Sequence, residues 1–140
     1  MILLDTNVLS ALMQREPDVR VIAWLDEQPT ESVWTTSITV FEVRLGLELL
    51  PDGRRRQRLE RAFEQALEED FENRVVAFDQ SAALAAGQIA AEHRRAGRTL
   101  DVRDVQIAGI TRARRATLAT GNLRHFEGVG LDLINPWPEE

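Results

Sequence analysis

The chain opens on Ile2-Leu3-Leu4, a wholly apolar run stopped at once by Asp5. A strand with no polar alternation has both faces covered, which places it in the interior of a parallel sheet rather than on a solvated one. Four more short runs of this kind follow, at Val33 to Thr35, Arg74 to Phe78, Ala116 to Ala119 and Leu131 to Ile134. Between them the apolar spacing turns helical, over Val8 to Gln14, over Val19 to Glu27 with Pro29 closing it, and through ITVFEVRLGLELL, which Pro51-Asp52-Gly53 stops. Ser37 and Thr39 are both suitable caps for that third helix. A long amphipathic helix carries Leu59, Ala62, Phe63, Ala66, Leu67 and Phe71 on one side, an alanine-rich helix runs from Ser81 to Arg95, and DVRDVQIAGITRARR follows Gly97. The segment Asn135-Pro136-Trp137-Pro138 continues neither regular form. Strands alternating with helices predict an α/β fold, a mainly parallel sheet of four or five strands covered on both sides. No repeat or flexible linker divides residues 1–140, so a single domain is expected.

Composition then removes whole classes of chemistry. Cysteine is absent, which excludes disulfides, thiolate metal sites and cysteine nucleophiles. Lysine is absent too, which excludes a Walker loop and Schiff-base catalysis. The net charge of −6 has the wrong sign for a broad basic face on nucleic acid, although arginines cluster locally at Arg54 to Arg58, His93 to Arg98 and Arg112 to Arg115. The first-turn arginines of the amphipathic helix oppose its dipole, which makes that run a somewhat better functional candidate than arginines elsewhere. No apolar run approaches the roughly 18 residues of a membrane span, and MILLD has no basic stretch before it, so a cytoplasmic protein is expected.

What remains is carboxylate chemistry. In a parallel α/β sheet, ligands collect at the carboxyl ends of the strands. Asp5 ends the first strand, Glu42 lies in the helix after the second, Asp104 opens the helix before the fourth, and Asn122 follows the fourth. Each has an ordinary alternative. Asp5 is a good helix cap, Thr39 to Glu42 fits a capping box, and either Asp101 or Asp104 caps its own helix. If all three acids meet at one rim they repel, with raised proton affinity, unless a cation neutralises them. Asn7, two residues after Asp5, is placed to hold a water or a neighbouring ligand. His93 and His125 have no zinc spacing and read as surface residues, and hard oxygen donors without a histidine pair favour magnesium or manganese.

Four segments, MILLDTNVLSAL, TSITVFEVRLGL, DVRDVQIAGI and TLATGNLRHFEGVGLDLINPW, span the whole chain and together resemble a PIN-domain ribonuclease of the VapC toxin type. The resemblance implies a three-layer α/β/α sandwich and an acidic site of Asp5, Glu42 and Asp104, which would hold Mg²⁺, with Mn²⁺ able to substitute. Asn122 matches the position after strand four that often adds another Asp or Asn to the catalytic group. One departure stands out: His125 occupies the place where relatives commonly carry an Asp. The implied reaction is metal-assisted hydrolysis of an RNA phosphodiester leaving a 5′-phosphate, with Asn7, Thr120, Arg103 and Arg124 as substrate contacts. The implied partners are a small DNA-binding antitoxin of the VapB kind and a second copy of the chain, in a homodimer and a toxin–antitoxin hetero-oligomer, with no membrane. A degenerate relative that binds RNA or protein without cutting is the alternative. A phosphatase with Asp5 as nucleophile is disfavoured by Asn7 and the missing lysine.

Overall fold

The structure, a computed structural model, describes residues 1–137. Pro138, the last residue of the expected breaker segment, and residues 139–140 of the expected domain lie outside the described residues. Five strands form one all-parallel sheet in the order β3-β2-β1-β4-β5: β1 Ile2–Leu4, β2 Val33–Thr36, β3 Val75–Val76, β4 Thr117–Ala119 and β5 Asp132–Ile134. Six α-helices connect them: α1 Thr6–Met13, α2 Val19–Asp26, α3 Ser37–Glu48, α4 Arg54–Gln65, α5 Gln80–Arg95 and α6 Val102–Arg114. The apolar runs are short because a strand buried on both faces needs only enough length to pair.

Alternation along those runs divides the core in two. Leu4, Val33 and Ala119 face Val8, Leu9, Val21, Leu47, Leu59 and Phe63 from α1 to α4. Leu3, Val76 and Leu118 face Ala82, Ile89, Ile107 and Ile110 from α5 and α6. These two layers on either side of the sheet are the expected sandwich. α6 lies on α5 at Gly109, where an added Cβ would meet the Ala82 carbonyl oxygen at 2.5 Å and the Ala86 Cβ at 2.6 Å, so only glycine permits the approach.

Several expectations are corrected. The cap of α3 is Thr36, whose side chain accepts from the Thr39 N–H at 3.1 Å, rather than Ser37 or Thr39. Glu42 is thereby a full turn too far along for a capping box, and its carboxylate is spared that duty. The amphipathic helix does not run unbroken to Phe71: it gives way at Ala66–Asp70 to a π-helical turn, which brings Phe71 into the core. The third strand is only Val75–Val76, because it lies at the sheet edge. His93 is not on the surface; it is buried at the end of α5, with Nε2 3.4 Å from the Glu127 carbonyl.

Candidate active site

The central strand β1 pairs with β2 on one side and β4 on the other, so its carboxyl end lies between two diverging crossovers. Asp5 stands there. It caps α1, as the ordinary reading holds, with Oδ1 accepting from the Thr6 N–H at 2.8 Å. Its other oxygen accepts from the Thr120 hydroxyl at 2.8 Å and the Asn7 amide at 3.2 Å, which ties β1 to the segment after β4. The side chain is nearly sequestered, and burial pushes its carboxyl above the usual range against the pull of the Thr120, Thr6 and Asn7 hydrogen bonds.

Asp101 is the residue that caps α6, accepting from the Arg103 N–H at 2.9 Å. That frees Asp104 in the first turn, where Oδ2 stands 3.2 Å from His125 Nδ1. Burial raises the Asp104 carboxyl; the His125 charge opposes the rise, and the negative charges of Asp5, Asp101 and Glu42 add to it. Glu42 accepts from the Thr6 hydroxyl at 2.8 Å and lies 3.7 Å from the Arg103 guanidinium. Sequence reasoning did not single out Thr6; its place between Asp5 and Asn7 was the available signal. Asp104 in α6 is therefore close enough to Asp5, just after β1, and to Glu42 in α3 to feel both charges.

The neutral residues cluster beside them. Thr120, fully buried, accepts from the Asn7 amide at 3.2 Å and the Asn122 N–H at 3.0 Å. Asn7 also accepts from the Gly121 N–H at 2.9 Å, so its carboxamide is taken up in holding this loop. Arg124 lies in the 3₁₀ turn Leu123–Phe126 with His125. The arginine run at the start of α4 is divided: Arg56 is bound by Glu48, Asp52 and Glu60, whereas Arg54, Arg55, Arg58 and Arg61 line an open recess with Arg15 and Gln57.

The donor set suits a hard divalent cation in kind, being carboxylate oxygens that repel one another in a partly buried rim. Among the described residues no three such side chains form a ready-made ligand cluster. Asp104 is turned toward His125 and Glu42 toward Thr6, so a cation must compete with both contacts. Mg²⁺ needs only one or two direct carboxylates, its remaining positions being filled by water and phosphate oxygens, so the rim is compatible with such an ion in donor type without a preformed cluster of three.

A profile of the PIN domain matches residues 2–130. The chain belongs to the PIN-domain family. Among its relatives, plasmid stability protein StbB of Pseudomonas syringae pv. tomato is 42% identical, covering 98% of this chain and 99% of its own. VapC ribonuclease Y4jK of Sinorhizobium fredii is 38% identical, covering 98% of each chain. The solved structure of FitAcB from Neisseria gonorrhoeae superposes with a TM-score of 0.88 at 36% identity, over 98% of this chain and 99% of the other. DNA-bound VapBC from Salmonella typhimurium gives 0.79 at 28% identity, over 96% and 97%. The chain thus falls with the VapC-type toxins of the PIN family, and as an enzyme it is a nuclease-type hydrolase. No helix among the described residues is long and apolar enough to cross a membrane.

Proposed function

We propose that this protein is the toxin of a type II toxin–antitoxin pair and a Mg²⁺-dependent endoribonuclease that hydrolyses RNA phosphodiester bonds. The observation that carries this reading is the rim itself: Asp5 and Asp104 both bind protons more readily than ordinary carboxylates, and among the described residues no arginine forms an ion pair with either. Such a pair calls for a cation from outside the chain. A bound Mg²⁺ supplies a water of lowered pKa and neutralises charge building on the phosphate.

Asp5, Glu42 and Asp104 hold the ion directly or through water, with Mn²⁺ as a substitute. Thr120 and Asn7 fix the Asp5 carboxylate by the bonds described above. Asn122 orients a water or phosphate oxygen, and Arg103 and Arg124 grip flanking phosphates. The product carries a 5′-phosphate. The name VapC ribonuclease on a relative sharing nearly the full length supports RNA as substrate.

A cognate antitoxin is the expected inhibitor, since structures similar to this chain are described as VapBC and FitAcB complexes. A basic side chain from that partner would meet the same unneutralised acids. We further infer a homodimer within a larger toxin–antitoxin assembly, acting in the cytoplasm.

Digestion of total RNA by the purified protein, with Mg²⁺ and with chelator, tests the reading. New 5′-phosphate ends that require the metal support it. Metal-replete protein that binds RNA without cutting would favour the non-cleaving alternative, which the His125–Asp104 contact makes worth separating.

A further inference from the structure

Next to the acidic rim, Asn7, Gly121, Asn122, Asn135 and Trp137 line an open recess of about 340 Å³. Its chemistry is unlike that of the rim, with three carboxamides, one indole and no charged side chain. Asn7 is fully engaged, as described. The other two carboxamides are not: among the described residues, Asn135 Oδ1 accepts the Trp137 backbone N–H at 3.0 Å and its NH₂ makes no bond, while the Asn122 carboxamide makes none at all.

Trp137 is held in place. It packs on the core cluster that contains Leu4 and Val8. Its six-membered ring lies so near the backbone of Gly121 that an added Cβ would stand 2.8 Å from Cζ3 and 3.0 Å from Cε3. The Asp18 carboxyl is held below its ordinary range chiefly by Arg20, with a smaller contribution from the Trp137 indole.

A fixed aromatic surface flanked by unbonded amide donors and acceptors matches an unpaired nucleobase, which offers a π face and an edge of alternating donors and acceptors. A free anion finds no cation in the recess, and an aliphatic group leaves the carboxamides without partners. The recess joins the acidic centre through Asn7, which bonds to Asp5 at 3.2 Å.

We propose that this recess is a nucleobase subsite, where Trp137 stacks on an unpaired base of the RNA adjoining the scissile phosphate while Asn122 and Asn135 bond its edge. The proposal rests on the ribonuclease reading for its choice of RNA.

The test uses full-length protein with Trp24→Phe and Trp34→Phe, leaving Trp137 as the reporter, in chelator so that nothing is cut. RNA tetranucleotides of each base, and an abasic tetranucleotide, are titrated against its fluorescence. The expected result is saturable quenching by at least one base-bearing tetranucleotide and none by the abasic one. Asn135→Ser keeps an acceptor for the Trp137 N–H and removes the free NH₂. It should weaken binding about fivefold, the worth of one hydrogen bond, with unliganded emission unchanged. Equal quenching by the abasic strand, or no quenching by any, overturns the proposal. Quenching that persists in a protein unable to cut RNA with Mg²⁺ supports the subsite and rejects the ribonuclease reading, so the two fail separately.

Discussion

The α3–α4 corner and the acidic rim each hold three carboxylates, and the chain treats them in opposite ways. At the corner, Arg56 reaches Glu48 at 2.9 Å, Glu60 at 3.0 Å and Asp52 at 3.2 Å, with Arg44 also bridging Glu48 and Glu60. At the rim, among the described residues, Asp5 has hydroxyl and amide hydrogen-bond partners, Asp104 has a histidine, and Glu42 has Arg103 at 3.7 Å. Charges that serve the fold are neutralised from within, at a place where water also screens them. Charges at the rim are partly buried and only partly answered from within, by Arg103 at Glu42 and His125 at Asp104.

The sharpest way to break this contrast is to neutralise one rim acid. Asp104→Asn or Asp5→Asn should lower the rate of RNA cleavage by about a thousandfold or more, roughly 4 kcal/mol of transition-state stabilisation, in a digestion assay with Mg²⁺. Full activity in either variant would take that residue out of the site. At the corner, Arg56→Ala should do the reverse. It should cost about 1–2 kcal/mol of stability by urea melts, most of it from the half-buried bonds to Glu60 and the Leu50 carbonyl, and leave cleavage by the folded fraction unchanged.

Much of this contrast was legible in the sequence and some was not. Ile2 to Leu4 ending at Asp5 defined the central strand and its rim acid because a run buried on both faces carries no polar alternation. Asp101 and Asp104 remained ambiguous, since both suit a helix start; only the Arg103 N–H bond shows which of them caps. Three consecutive hydroxyl residues, Thr35, Thr36 and Ser37, hid the true cap of α3, and with it the freedom of Glu42. The burial of His93 was invisible because an alanine-rich helix shows little polarity from face to face. Trp137 against Gly121 is a contact between irregular segments, where no period exists to read.

Metal sharpens the comparison more gently. Millimolar Mg²⁺ or Mn²⁺ should raise the melting temperature of the wild type, by about 1.4 kcal/mol of stabilisation at about ten times Kd, and should not raise that of Asp104→Asn. A wild-type melt indifferent to either ion would count against the cation reading.

The smallest effect is in pH. Without metal, Asp5 and Asp104 have folded proton affinities above the unfolded ones, so their contribution is favourable below about pH 4 and is lost as pH rises through the folded values. Asp104→Asn should therefore melt higher than wild type at pH 7 in chelator, the gap closing toward pH 4. A gap that stays constant over that range would show that ionising Asp104 in its partly buried place costs the fold nothing.

The glycine contact between α5 and α6 gives the rim a remote dependency. Gly109 lies little more than one turn from Asp104 along the same rigid rod, and a methyl group there must tilt or lift the rod away from its neighbour. The carboxylate at the rod's tip would swing with it. A methyl group inside that helix–helix contact, touching none of the rim residues, would thus reach Asp104 through the rod.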